Sequence, residues 1–392
     1  MVPARPPFHV FAGLAAATAL SSAAIHMLAP ALPLLSGELN VSPQGAQYAI
    51  LIYLVGLAGG QLLAGPLADS IGRRPIIVGG LLLYVAAAIA GARTDSMTAL
   101  CLARLVQAIG GGAALVGARV IVGDLSGKAG AGRGQARLMG VVLVSTALAP
   151  TIGGYVSTLF NWRAVLDVQG ALALGAFVAL WRNLPETLTA QTRNVSAFSD
   201  QYKRILANRN FQGTATAIAL GSSALYMFLA ISPFILVGQW GETIGDVGLY
   251  LSMMAVSAIL GTFAVGPLER RSDPFRLGLA ISFAGALSAV AASLTGTEHW
   301  LALVGPGMVI TLGVGISGPA GAARLLHCEK GLAGTAVSLG GALQMSIGAL
   351  AAALLGLWSA PGFLVLALAM TAVTGMAWLA ARGLEVRHVP GP

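Results

Sequence analysis

Charge is what this chain has least of. Lys, Arg, Asp and Glu make up 9% of its 392 residues, against roughly 25% in an ordinary soluble domain. That is too few to coat a globule of this size. Acidic residues are the scarcer sign, 14 against 22 Lys and Arg. Only 2 cysteines occur, Cys101 in an apolar run and Cys328 in a polar stretch, so neither a disulfide framework nor a metal-ligand spacing is available. Both are expected as free thiols. Aromatics stand at 6% and do not interleave with a basic patch, which excludes a nucleic-acid surface despite a net charge of +8. His-Glu-x-x-His, Gly-x-Ser-x-Gly and Walker signatures are all missing, so no enzyme, catalytic residue, metal or cofactor is expected.

What the chain has instead is 56% hydrophobic residues, 52 glycines and a mean hydropathy of +0.82. Glycine is about twice its usual share of roughly 7%. Small residues in apolar runs let helix backbones approach in lipid, and the runs Gly56–Gly60 and Gly110–Ala114 fit that use. A membrane-crossing helix needs about 20 mostly apolar residues. Twelve stretches qualify: 9–35, 44–64, 75–92, 98–123, 137–159, 164–183, 211–237, 245–266, 275–295, 299–323, 332–357 and 361–381. The first is too long for the apolar core of a secretory signal and reads as an uncleaved span.

Positive charge orients the spans. With the N-terminus in the cytoplasm, 18 Lys and Arg fall in inner segments and only Arg93 and Arg163 in outer ones, with Arg104 and Arg119 inside the fourth span. An even number of spans then puts both termini in the cytoplasm of a cell inner membrane. The longest polar stretch divides the chain into 1–184, a linker at 185–210, and 211–392. A short echo links the halves: Gly65-Pro66-Leu67 recurs as Gly266-Pro267-Leu268, 201 residues on, each followed by an acid and a double arginine. Internal duplication is how many transporters build a site between repeats.

Several motifs are specific. The segment 65–75, Gly-Pro-Leu-Ala-Asp-Ser-Ile-Gly-Arg-Arg-Pro, resembles the loop signature of the major facilitator superfamily and lies between spans two and three, as it does there. Arg104-Leu105-Val106-Gln107-Ala108 resembles that family's Arg-x-x-Gln-Gly, with alanine for the last glycine. Ala149-Pro150-Thr151-Ile152-Gly153-Gly154 resembles its antiporter signature, with one Gly-to-Ala departure. Pro30–Pro33, Ala118–Leu125, Asn161–Arg163, Leu184–Thr187 and Ser232–Phe234 are similar to the bicyclomycin/chloramphenicol-resistance branch of drug:proton antiporters. The resemblance covers nearly the whole chain. It implies an all-α membrane protein, two six-helix bundles rocking about a central cavity lined mainly by spans one, four, seven and ten. It also implies that Asp69, Arg73 and Asp124, with Gly65, form a latch on the outward-facing state. Ser70 stands where that family usually has a basic residue.

The residues themselves carry further expectations. Gly65 and Gly72 suit a sharp turn, and Pro75 the first turn of the next helix. Thr18, Ser22 and His26 recur every four residues, one stripe of the first span. No Asp or Glu sits deep in any span, and the resembling branch typically has aspartate at the position of His26. An unperturbed histidine titrates near pH 6.5, so His26 is the leading proton-coupling group. The alternative is a neutral histidine bonded to a backbone carbonyl or hydroxyl. Arg104 and Arg119 are about 60° apart around the helix and about 22 Å along it, which allows both to face a cavity. Arg104 is read in proton coupling and, with Ser22, His26, Gln107 and Tyr226, in substrate binding. Pro150, Gly153 and Gly154 suggest a pliable element. The function expected is proton-coupled export of a small, partly apolar compound by a monomer in the lipid bilayer. The rival is export of one dedicated metabolite, favoured if Arg104 meets an anionic substrate.

Overall fold

A computed structural model describes residues 7–188, 198–329, 332–357 and 362–383, without the side chains of 69, 127–132, 198–200 and 333. Among the described residues every regular element is helical. Twelve helices are long and apolar enough to cross a membrane: α1 (Phe8–Glu38), α2 (Pro43–Ala68), α3 (Arg73–Ala92), α4 (Met97–Ser126), α5 (Arg133–Leu159), α6 (Trp162–Trp181), α8 (Arg209–Gln239), α9 (Ile244–Glu269), α10 (Pro274–Leu294), α11 (Trp300–Leu326), α12 (Gly334–Leu355) and α13 (Phe363–Arg382). A short amphipathic helix, α7 (Phe198–Ala207), precedes α8. Apolar length alone explains each span, because a backbone in hydrocarbon must satisfy its own hydrogen bonds.

Local chemistry sets the ends. Ser42 caps α2, its Oγ accepting from the Gly45 N–H at 3.1 Å, with Pro43 in the first turn. Asn161 does the same for α6, accepting from the Ala164 N–H at 2.9 Å. Pro30, which has no N–H, sits in a short tighter turn at Ala29–Ala31 within α1. The expected sharp turn over 65–75 is shorter than its sequence suggests. Helix continues through Pro66 to Ile71, and only Gly72 breaks it, at φ +115°. A side chain at Gly65 would meet nothing within 4 Å, so that glycine answers no steric demand here; one at Gly72 would strike the Glu186 carboxylate.

Between α4 and α5 the backbone stays helical from Met97 to Leu159, yet the chain reverses. Gln135 Nε2 donates to the Arg119 carbonyl at 2.6 Å, where a straight helix would hold those residues about 24 Å apart.

The halves are built alike. Close approach through glycine joins α2 to α4 at Gly60 and Ile109, and α9 to α11 at Gly261 and Leu312. It joins α3 to α4 at Gly80 and Gly110, and α10 to α11 at Gly278 and Gly313. At the ends of these helices Arg73 pairs with Asp124, while 200 residues on Asp273 pairs with Arg324 at 2.6 Å. The same bridge recurs with its charges exchanged. Of the spans, α8 is the most enclosed and α5 the least. One apolar cluster runs through both halves, from Leu14, Leu20 and Tyr53 to Tyr226, Phe228 and Met254.

Candidate functional site

Three polar assemblies stand out against the apolar framework, and each gathers residues far apart in sequence. The first is wholly inside the N-terminal half. Arg104 on α4 is 1% exposed. Its guanidinium donates to Gln107 Oε1 at 2.8 Å, Gln169 Oε1 at 3.3 Å, the Ala49 carbonyl at 3.2 Å and the Ala24 carbonyl at 3.4 Å. It also lies over the Tyr53 ring, 4.1 Å from the centroid. Gln107 donates in turn to Gln169 at 3.0 Å. A buried cation in a span is costly unless its donors are taken up; here four helices, α1, α2, α4 and α6, supply acceptors. Arg104 is therefore enclosed within one half rather than turned toward a space between the halves. Gln169 and Tyr53 were not singled out from sequence, although a lone glutamine in the apolar sixth span was a legible signal.

The second assembly lies where α1, α5 and α9 cross. Ser22 Oγ and Thr146 Oγ1 are 3.2 Å apart, and Thr151 Oγ1 and Ser252 Oγ 2.7 Å. Gly153 lies directly against the Met27 carbonyl of α1, and Gly154 against Ile244 and Gly248 of α9. Backbone thus meets backbone on both sides of α5, which only glycine permits. Pro150, in the same turn, presents its carbonyl to Gly248. His26 sits one turn beyond Ser22 at 9% exposure, with Nδ1 2.9 Å from the Ser22 carbonyl. A carbonyl only accepts, so Nδ1 carries the hydrogen. Nε2 makes no hydrogen bond among the described residues. Thr18, on the same stripe, donates to the Leu14 carbonyl at 2.8 Å.

The third assembly is a brace at the Arg73 end of the N-terminal half. Arg73 pairs with Asp124 and donates through Nη1 to Thr187 Oγ1 at 3.1 Å, and Thr187 donates to Asp124 at 2.7 Å. Glu186 accepts from the Arg73 and Arg74 N–H groups, each at 3.1 Å, capping α3. Burial pushes the Glu186 carboxyl up, but backbone N–H groups of Leu188, Arg73, Arg74 and Thr187 outweigh it and hold the group below the usual carboxylate range. The side chain of Asp69 lies outside the described residues. Glu186 and Thr187, read from sequence only as part of a branch motif, are what bring the linker onto this site.

Tyr226 on α8 is buried in the C-terminal half, its hydroxyl on Met345 Sδ at 3.2 Å. Nearby, Gln344 donates to Ser222 Oγ at 2.9 Å. Tyr226 makes no hydrogen bond to Arg104, Gln107, Ser22 or His26 among the described residues. A cavity of about 720 Å³ is walled by α1, α5 and α6, all of the N-terminal half.

Comparison with known proteins agrees with this architecture. The chain is 28% identical over 351 residues to a chloramphenicol resistance protein of Pseudomonas aeruginosa, covering 86% of this chain and 82% of that one. It is 25% identical over 332 residues to a bicyclomycin resistance protein homolog of Haemophilus influenzae, covering 83% of each. A solved structure of the peptide transporter POT in complex with sulfate superposes with a TM-score of 0.78 at 16% identity, covering 98% of this chain and 95% of that one. A bacterial homolog of the lysosomal transporter Spinster, inward-facing, gives 0.77 at 16%, covering 98% and 99%. The sequence model of the Major Facilitator Superfamily matches residues 14–352; the chain belongs to that family.

Proposed function

We propose that this protein is a secondary active transporter of the cell inner membrane that exports a small, partly apolar compound in exchange for protons. The observation that carries the reading is the length and kind of its similarity: relatives named for chloramphenicol and bicyclomycin resistance match over more than four-fifths of both chains. The glycine crossing of α5 on α9 supports it, because close backbone approaches without interlocking bulky side chains at Gly154 and Gly248 allow two helices to part and re-form. On this reading residues 1–184 and 211–392 are the moving halves and 185–210 the linker. Both termini are cytoplasmic and the unit is a monomer. Substrate and proton sites exchange sides by population shift. The rival, a dedicated exporter of an anionic metabolite, drew its support from Arg104. That guanidinium already has protein acceptors, so the support falls away.

His26 is the proton-coupling group on this reading, acting through Nε2, with Ser22 beside it. In everted membrane vesicles, an imposed pH gradient should drive accumulation of chloramphenicol, bicyclomycin or another compound to which the protein confers resistance. His26→Ala should abolish that gradient dependence at unchanged protein amount. Resistance without any gradient-driven flux would overturn antiport, and full flux in His26→Ala would move the proton elsewhere.

A further inference from the structure

The 720 Å³ cavity is not used by anything above. It is a groove on the membrane face of the N-terminal half, floored by α1 and walled by α5 and α6. The floor is recessed because α1 presents the small side chains of Ala16, Ala19 and Ala23 there. The rim faces outward: Val144, Leu148 and Leu172 are each more than half exposed. This makes α5 the least covered of the twelve spans. Among the fifteen residues that line the groove only Arg137 and Ser145 carry polar side chains. Arg137 stands at one end, exposed, with Arg133 exposed one turn before it. From Arg137 to Ile152 the groove runs about 22 Å along the helix, somewhat more than the roughly 15 Å depth of one leaflet's hydrocarbon.

We propose that this groove is a binding site for an anionic phospholipid, one acyl chain lying along α1 between α5 and α6 and the phosphate at Arg137. Length, apolar lining and the position of the cation select that occupant. A zwitterionic lipid satisfies the apolar wall but brings no net charge to the exposed Arg137 and Arg133, whereas an anionic headgroup is worth about five-fold in affinity per basic residue near the surface. A lipid seated there covers the open side of α5 and packs on the same helix that crosses α9 at Gly154. The site is a place where membrane composition acts on the transporter.

The test is photolabelling of the purified full-length protein in vesicles of phosphatidylethanolamine, using phosphatidylglycerol that carries a photoreactive group on one acyl chain. Label is expected on peptides of α5 and α1 within 140–152 and 16–27. Arg137→Gln should lower it about five-fold. Gly140→Phe should abolish it; a β-carbon there meets nothing within 4 Å, so the ring fills the groove without disturbing the fold, as an unchanged elution profile would verify. Equal labelling of both variants and wild type, equal labelling by the phosphatidylcholine analogue, or displacement of the label by a transported drug and not by unlabelled phosphatidylglycerol would each overturn the proposal. The readout is lipid binding, so it stands or falls separately from the transport reaction.

Discussion

Replacing Gly154 by alanine tests whether the α5–α9 crossing is the joint that opens. A β-carbon at Gly154 would lie 2.8 Å from the Ile244 carbonyl oxygen and 3.1 Å from Gly248 Cα, both inside ordinary contact. Both are backbone atoms and cannot rotate aside, so α5 and α9 must separate. Overpacking of this kind costs about 1–3 kcal/mol. The intrinsic helix gain of alanine over glycine, about 1 kcal/mol, is present whether the helices touch or not and cancels between the two states. The closed crossing should therefore lose about 5- to 150-fold against the open one. Ser252, 8% exposed and bonded to Thr151, reports this. With Cys101 and Cys328 replaced by serine and Ser252→Cys introduced, labelling by a membrane-impermeant maleimide should rise by that factor in Gly154→Ala. Gly153→Ala makes the instructive contrast. Gly153 meets Met27 within the same half, so that change should lower thermal stability and leave labelling alone. Unchanged labelling in Gly154→Ala, or an equal rise in Gly140→Ala where a β-carbon has open space, would refute the reasoning.

Two further outcomes follow from the other assemblies. Arg104→Lys keeps the charge but loses the planar fork that reaches four acceptors; at about 0.6 kcal/mol per interhelical bond in a membrane, stability should fall by about 1–2 kcal/mol. Arg104→Ala, leaving a cavity and unpaired amides, should cost about 3 kcal/mol or more, read by thermal unfolding in detergent; an alanine variant that melts with wild type would remove the structural role. At Glu186 the folded carboxyl titrates below its usual 4.5, so its contribution is complete above that value and is lost as pH falls through the depressed one. Glu186→Gln should lower stability at neutral pH by a small amount, because the exposed carboxylate is screened, and by nothing below the depressed value, so the acid limb flattens by that same amount; an unchanged acid limb would show that the cap carries no weight.

The twelve spans were legible because hydrocarbon demands long apolar runs and little else resembles them. Their bounds agree within a few residues for most, since caps such as Ser42 and Asn161 are local. Orientation of side chains around each helix was not legible. Arg104 and Arg119 share a direction to within about 60°, but which neighbour that direction meets depends on how four helices pack, and Arg104 found Gln169 and two carbonyls. The 65–75 motif reads as a loop from its glycines and proline; helix overrides them up to Gly72, because Pro66 tolerates a helix when tertiary packing holds its neighbours. The roles of Glu186 and Thr187 needed the third dimension, since they act on residues 63 to 114 positions away.

The exchanged bridges explain why the internal echo was so faint in sequence. Duplicated halves keep a geometry, and a salt bridge keeps its geometry when both signs are reversed: Arg73 with Asp124, Asp273 with Arg324. Side-chain identity drifted while the glycine approaches at Gly60 and Gly261, and at Gly80 and Gly278, held the backbones at the same distance. Those approaches leave no slack inside either half, where backbone meets backbone across α2, α3 and α4 and again across α9, α10 and α11. Packed interiors of this kind shift between discrete arrangements rather than deforming. Motion is then confined to contacts between the halves, and at the centre of the α5–α9 crossing these are glycine approaches beside the Thr151–Ser252 hydroxyl pair. Rigid halves and a glycine-centred joint are one design seen from two places.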